Sequence, residues 1–280
     1  MPALADQVVL VTGASSGIGE ATARRLGRRG ARIVLFARRA DRIEALAHEL
    51  DPTGVRTVAV AGNLTNAIDR QRLVAAALEK FGRIDALVNN AGYGTRGAVE
   101  TVPVELIRRN FETNVFSLIA LTQLVVPQMR AQGAGRIVNI GSVAGRIARP
   151  MSSVYDSTKH ALEAITDGLR GELRPFGIGV VLIRPGLILT EFVQSADRAS
   201  QTVVETAGPY APYFAGYHRG YDRLRPYAGT ADDIACLVEK ALTASRPKAH
   251  YAGPIHAKLF LLLKWLLPAR VIDHFVRLRR

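Results

Sequence analysis

Short runs of consecutive apolar, β-favouring residues alternate along this chain with longer segments whose apolar positions recur at helical spacing. The short runs fall at 8–11, 32–36, 57–61, 86–89, 136–140 and 180–183. They are apolar at successive positions and do not alternate with polar residues, so both faces of the sheet they form are expected to be covered. The helical period occupies about 17–29, 40–50, 66–81, 103–130 and 152–175. Strand and helix in regular alternation imply parallel strands joined by crossover helices, a doubly wound α/β domain.

The alternation halts after Thr190. From 191 to 227 the chain carries five of its eight tyrosines and no strand pattern, before Thr230 restarts a helix as N-cap with Asp232 and Asp233 in its first turn. A long irregular insertion in a compact domain reads as a substrate lid, here 191–228. Tyr210, Tyr213, Tyr217 and Tyr221 recur at helical spacing, and Phe192, Val193 and Phe214 add apolar surface. That stripe is expected to pack on the domain, to contact substrate, or both. The tail, 254–280, mixes Leu, Phe and Trp with Lys and Arg. Its apolar run at 259–267 is interrupted by Lys264 and stopped by Pro268, well short of the roughly 20 residues a membrane span needs. No linker divides the chain, so 1–280 is read as a single domain.

Composition narrows the classes. With 280 residues and 48% hydrophobic content the chain can bury a core, which excludes disorder and fibrous repeats. One cysteine, Cys236, leaves no intrachain disulfide or cysteine-based zinc site; it is expected to be a small core residue in an amphipathic helix. The six histidines lack metal-ligand spacing, so no metal is expected. The N-terminus carries no basic stretch followed by an apolar one, which together with the cysteine usage suggests a cytoplasmic protein. The net charge of +13 would attract nucleic acid, an anionic membrane or a phosphate-bearing cofactor. Aromatic residues do not alternate with the arginines between Arg24 and Arg42, where Phe36 stands alone, which makes nucleic acid the weakest of the three. Arg24, Arg25, Arg28 and Arg29 are expected to form the solvated face of the first helix.

Two motifs carry chemistry. The first strand runs into Thr12-Gly13, then Ser15, Ser16, Gly17, Ile18 and Gly19, which open a helix. Glycines there allow a sharp turn and close backbone approach, and the free N–H groups at the helix start attract a pyrophosphate. Tyr155 and Lys159 lie four residues apart, on one face of a helix. A nearby ammonium favours phenolate, and drawing a phenol from about 10 towards 7 needs roughly 4 kcal/mol.

The glycine spacing, Asn89-Asn90-Ala91-Gly92 after the fourth strand, Asn114, Ser142 after the fifth, the Tyr155-x-x-x-Lys159 arrangement and Pro185-Gly186 through Thr190 together resemble the short-chain dehydrogenase/reductase family over about residues 6–192. The tail, with Leu266-Leu267-Pro268-Ala269-Arg270, resembles its hydroxysteroid and retinol dehydrogenase-like branch. The resemblance implies a Rossmann-type fold and hydride exchange between a nicotinamide and an alcohol or ketone. In it Ser142 binds the substrate oxygen, Tyr155 exchanges its proton, and Lys159 holds the nicotinamide ribose. Asn114 anchors a relay water, Thr190 takes the carboxamide, and Asn90, Ala91 and Gly92 border the cofactor. It also implies a homodimer or homotetramer through the long fourth and fifth crossover helices.

The second strand ends in Ala37-Arg38-Arg39, where an NAD-selective member would place an acid; the guanidinium groups instead suit a 2′-phosphate, so NADP(H) is expected over NAD(H). After the third strand the family's usual aspartate is replaced by Asn63-Leu64, whose amide can still accept from adenine. The expected substrate is a hydrophobic secondary alcohol or ketone of steroid, retinoid, lipid or aromatic type, contacted by Phe192, Tyr213, Phe214 and Tyr217. The rival readings are a ketoacyl thioester reductase and a non-catalytic NADP-binding scaffold. The tail is expected to cover the cleft or a subunit interface, with weak peripheral membrane association through 257–280 as the second reading.

Overall fold

The computed structural model describes residues 4–277. Every residue of β1 (Val8–Thr12) is buried, as its unbroken apolar run requires of a strand covered on both faces. It pairs in parallel with β2 (Arg32–Ala37), which pairs with β3 (Thr57–Ala61). On its other side β1 meets β4 (Ala86–Asn89), followed by β5 (Gly135–Ile140), β6 (Ile178–Pro185) and β7 (His250–Gly253). The order β3-β2-β1-β4-β5-β6-β7 reverses direction between β1 and β4, and the crevice above their carboxyl ends is where such sheets bind ligands.

Strand side chains alternate between two cores. Val9, Val11, Ile33 and Leu35 pack under α1 (Gly17–Arg28), α2 (Ala40–Leu50) and α10 (Ala231–Thr243). Val8, Leu10, Val34 and Phe36 pack under α3 (Ala67–Phe81), α5 (Ser117–Ala131) and α6 (Ser153–Leu173). Asn66 caps α3, accepting from the N–H groups of Ile68 and Asp69, and Thr230 forms a capping box with Asp233 on α10.

Polar groups inside these cores fix α6. Asn89 donates to Asn139 Oδ1 (2.9 Å), and Asn139 donates to Thr166 on α6 (2.9 Å). Glu163, 5% exposed, receives two hydrogen bonds from Arg184 of β6, at 2.7 and 2.5 Å.

The structure departs from the sequence expectations in several places. The single helix expected over 103–130 is α4 (Val104–Phe111), a π-helical turn at Glu112–Phe116, and α5. The interruption sets Asn114, whose amide is occupied by groups outside its own helix. The segment 191–228 is not irregular: it folds as α7 (Phe192–Ala199), α8 (Gln201–Glu205) and α9 (Ala211–Leu224), with short 3-10 turns before and after α9. β7 was not expected, because its four residues include a histidine and a glycine and carry too little apolar pattern. Cys236 is exposed and not in the core, since the buried stripe of α10 runs through Ile234, Ala235, Val238, Ala241 and Leu242. Of the α1 arginines, Arg28 is exposed, Arg24 pairs with Glu20 and Glu49, and Arg25 and Arg29 pair with Glu239 of α10.

The tail forms α11 (Ile255–Leu266) and α12 (Ala269–Val276). No helix among the described residues is long and apolar enough to cross a membrane. Leu278, Arg279 and Arg280, the end of the expected tail segment, lie outside the described residues, as do Met1, Pro2 and Ala3 of the domain.

Candidate active site

The glycine turn after β1 is stitched from below. Thr12 Oγ1 accepts the N–H groups of Asn90 (3.0 Å) and Ala91 (3.1 Å), while Asn90 Nδ2 donates to the carbonyls of Thr12 and Gly13. Gly13 has φ +67°, a conformation only glycine adopts without strain. A Cβ on Gly19 would strike the Gly13 carbonyl and stand 2.5 Å from Asn90 Nδ2. The N-cap residue of α1, Ser16, makes no side-chain cap hydrogen bond, so the helix N–H groups are left for a ligand. Thr190 packs directly over the turn, 3.1 Å from where a Cβ on Gly17 would stand.

At the carboxyl end of β5, Ser142 opens a 3-10 turn and accepts from Ala144 N (3.0 Å). Ser142 stands beside the Tyr155 hydroxyl and favours its ionised form. Lys159, one helical turn further on α6, donates to Ile140 O (2.9 Å), with its ammonium 5.9 Å from the Tyr155 ring centre. Asn114 donates to Tyr93 O (2.9 Å) and Thr158 Oγ1 (3.1 Å) and accepts from Tyr93 N (3.1 Å). A π turn at such a place is common at functional sites. All these groups face or border one cleft of about 1330 Å³.

The family model for short chain dehydrogenases matches residues 7–201. The chain belongs to the short-chain dehydrogenase family. An oxidoreductase of Bacillus subtilis (strain 168), YusZ, is 33% identical over 94% of both chains. The NADPH-dependent 3-dehydrocapnine reductase of Ornithobacterium rhinotracheale is 32% identical over 94% of both. A short-chain dehydrogenase/reductase from Burkholderia phymatum, solved in complex with NAD, superposes with a TM-score of 0.82 at 25% identity, covering 100% of this chain and 99% of the other. The protein is an oxidoreductase that acts on a CH–OH group with a nicotinamide cofactor.

The dehydrogenase cleft brings together most of the residues singled out in the sequence. Gly13, Ser15, Ser16, Gly17, Ile18, Arg38, Arg39, Asn63, Leu64, Asn90, Ala91, Gly92, Pro185, Gly186 and Thr190 line it, with Ser142, Tyr155, Lys159, Phe192, Tyr213 and Tyr217. Gly19 and Asn114 sit behind this wall as supports. Phe214 does not belong to the site: it is 6% exposed and packs among Val102, Leu106, Met151, Val154 and Val203, because it projects from the side of α9 that grips the domain. Ser157 and Thr158 bond to carbonyls of their own helix, as local packing residues would.

The glycine turn fits a dinucleotide. Arg38 is exposed on the cleft and takes part in no ion pair among the described residues. Arg39 is committed: it donates to Ser15 Oγ (3.0 Å), Ser16 Oγ (2.7 Å) and Glu191 Oε2 (2.8 Å). Arg42 and Arg39 together hold the Glu191 carboxyl down at about 2.

The protonation states correct the expectation from spacing alone. Burial pushes the Tyr155 phenol up to about 12; Arg149, Arg96 and Ser142 pull against it without prevailing. Burial also draws Lys159 down to about 8. Desolvation of a charged phenolate therefore outweighs the nearby guanidinium groups.

Several lining residues carry no motif in the sequence. Arg149 is bound to Asp156 through two hydrogen bonds from its side chain, at 3.2 and 2.7 Å. His256 of α11 accepts from Leu187 N (3.1 Å) and presses against Gly186. Phe260, Phe275 and Val276 of the tail also line the cleft, whereas Leu259, Leu262, Trp265 and Leu266 face outward, so the tail covers the cleft with one side only. Thr12 stands in plain view at the head of the glycine turn, but its bracing role is visible only in three dimensions.

Proposed function

We propose that this dehydrogenase interconverts a hydrophobic secondary alcohol and its ketone with NADP(H). The observation that carries the reading is the buried Tyr155 phenol beside Ser142 in a cleft that continues into the glycine turn. Gly13 to Gly19, Asn90 and Thr190 would hold the dinucleotide, with Arg38 placed for a 2′-phosphate. The nicotinamide supplies or accepts the hydride when bound. In ketone reduction Ser142 positions the carbonyl oxygen and the neutral Tyr155 phenol delivers a proton to it; in oxidation the proton moves the other way. Phe192, whose ring lies 5.3 Å from that of Tyr155, with Tyr213 and Tyr217, supplies apolar wall. The complete set Asn114, Ser142, Tyr155 and Lys159 supports an enzyme over a scaffold, and the lid and tail helices on the cleft weigh against a bulky carrier-bound thioester.

The test is titration with NADPH and NADH by reduced-nicotinamide fluorescence, followed by a screen of hydrophobic ketones. NADPH is expected to bind about 10- to 100-fold tighter, a preference reduced in Arg38→Ala, as one charge-assisted hydrogen bond implies. Tyr155→Phe should lower turnover by about 10²- to 10⁴-fold while cofactor binding persists. Equal affinity for the two cofactors would sink the NADP(H) assignment.

Two properties of the assembly belong to the same reading. Val104 of α4 and Phe116 beside α5, 54% and 53% exposed, lie in the fourth crossover and support a homodimer or homotetramer through it and α6, the fifth, measurable by light scattering; a monomer would refute it. The outward Leu262 and Trp265, with Lys258 and Lys264 on the same helix, support weak contact with anionic membranes in a cytoplasmic protein. Flotation with anionic vesicles should be lost in Trp265→Asp; no flotation of the wild type would reject the contact.

A further inference from the structure

Behind the substrate half of the cleft lies an arginine that the mechanism does not use. Arg96 is 5% exposed, and its position is over-determined. Its backbone N–H donates to the buried Ser200 Oγ (2.7 Å), its Nη1 donates to Ser152 Oγ (2.9 Å), and its guanidinium carbon stands 5.0 Å above the Tyr217 ring. Its Nε is buried without a hydrogen-bond partner, and no carboxylate pairs with it among the described residues. The nearest acid in this network is already engaged: Asp156 takes Arg149, and Ser152 Oγ donates to Asp156 Oδ1 (3.2 Å). Arg96, Ser152, Arg149 and Asp156 thus form one chain of contacts with two cations and one anion, ending on the residue next to Tyr155.

An arginine cannot escape this imbalance by losing its proton, so a buried, unpaired guanidinium calls for an anion from elsewhere. Arg96 lines the cleft, and the lid brings Arg198, Arg219 and Arg223 to the same space, none of them in an ion pair among the described residues. Among the described residues the single carboxylate on the cleft wall is Glu191, held by Arg39 and Arg42 at the cofactor end. The substrate half is therefore apolar through Phe192 and the tyrosines and cationic through its arginines, with no acid of its own.

We propose that the substrate, in the alcohol/ketone reaction on which this inference rests, is an amphiphile whose carboxylate, sulfonate or phosphate pairs with Arg96 while its carbonyl meets Ser142 and Tyr155. The bidentate geometry of a guanidinium suits all three headgroups. Neutral steroids or simple aromatic ketones leave Arg96 unanswered and are poorer ligands.

The NADPH-loaded protein should be titrated with decanoate, decylsulfonate, decyl phosphate, decanol and methyl decanoate, following thermal shift and nicotinamide fluorescence. Oxodecanoates with the ketone moved along the chain, and their methyl esters, then give turnover. The anions are expected to bind at least about 10-fold tighter than the neutral compounds, and the order among the three anions identifies the headgroup. In Arg96→Met the anion-to-ester ratio should collapse towards unity, and Arg96→Lys should restore part of it. Equal binding of decanoate and its ester by the wild type overturns the anion pocket and leaves the hydrophobic-ketone reading standing. Failure of both to bind overturns both. An equal loss for acid and ester in Arg96→Met would assign the residue to holding α9 through Tyr217, and would also overturn the proposal; should that variant not fold, the wild-type comparison alone decides.

Discussion

Tyr155 and Lys159 are neighbours whose charges are both suppressed by the same burial. The phenol, raised to about 12, remains protonated through neutral pH, which is the form needed to deliver a proton to a ketone. Lys159 gives up its proton as pH rises through about 8. Ketone reduction, followed as initial kcat/KM, should therefore be level below about pH 8 and fall above it, while alcohol oxidation, which needs the phenolate, should climb with pH. A reduction rate that rises between pH 7 and 9 would contradict this assignment. The signs for stability are opposite at the two residues. Between about 8 and the ordinary lysine value of 10.5 the unfolded chain binds the Lys159 proton more tightly, so stability gains with pH. Between 10.0 and about 12 the folded chain holds the Tyr155 proton more tightly, so that contribution is lost as pH rises. The residues proposed as catalytic stand out in the sequence because their spacing is a motif. Their protonation does not, because desolvation depends on what the fold places around them. Arg96 and Arg149 were invisible for the same reason: an isolated arginine says nothing until Ser152, Asp156 and Tyr217 surround it.

At the scale of elements, α6 carries the proposed catalytic pair Tyr155 and Lys159, and the Glu163–Arg184 pair is its tie to β6. With side chains only 7% and 15% exposed, the pair leaves a stranded charge if either partner is removed. Arg184→Met should cost about 3 kcal/mol in the urea unfolding midpoint, and Glu163→Met combined with it should recover much of that loss. An unchanged midpoint in the single variant would show that the tie does not hold the helix. The elements most legible in sequence were those with strong, uninterrupted pattern: α2 and β4 begin and end where their periodicity does. The long helix over 103–130 misled because a π turn shifts the phase without breaking the apolar pattern. The lid misled in the other direction, since its prolines occupy first-turn positions in α9 and the 3-10 turns, where they start helical structure instead of ending it.

Across the whole molecule, one cleft joins the glycine turn, the lid and the tail, so a bound dinucleotide would touch parts of the chain far apart in sequence. At a concentration about 100 times its dissociation constant, NADPH should stabilise the fold by about 2.7 kcal/mol, a rise in melting temperature of roughly 5 °C by scanning calorimetry. Gly19→Ala, which sets a methyl group against Asn90 and the Gly13 carbonyl, should abolish that rise. A rise that survives the substitution would place the dinucleotide elsewhere. The packing of α1 on α10 carries a consequence for how the protein is made. Ala23 and Leu26 share a core with Ile234, Val238 and Leu242, and Arg25 and Arg29 both reach Glu239. The helix that presents the glycine turn leaves the ribosome well before the helix that shelters it. A nascent chain stalled before Thr230 has every proposed catalytic residue outside the exit tunnel or close to it, yet its first crossover helix lacks the partner that seats it, so competence to hold a dinucleotide waits until α10 has emerged.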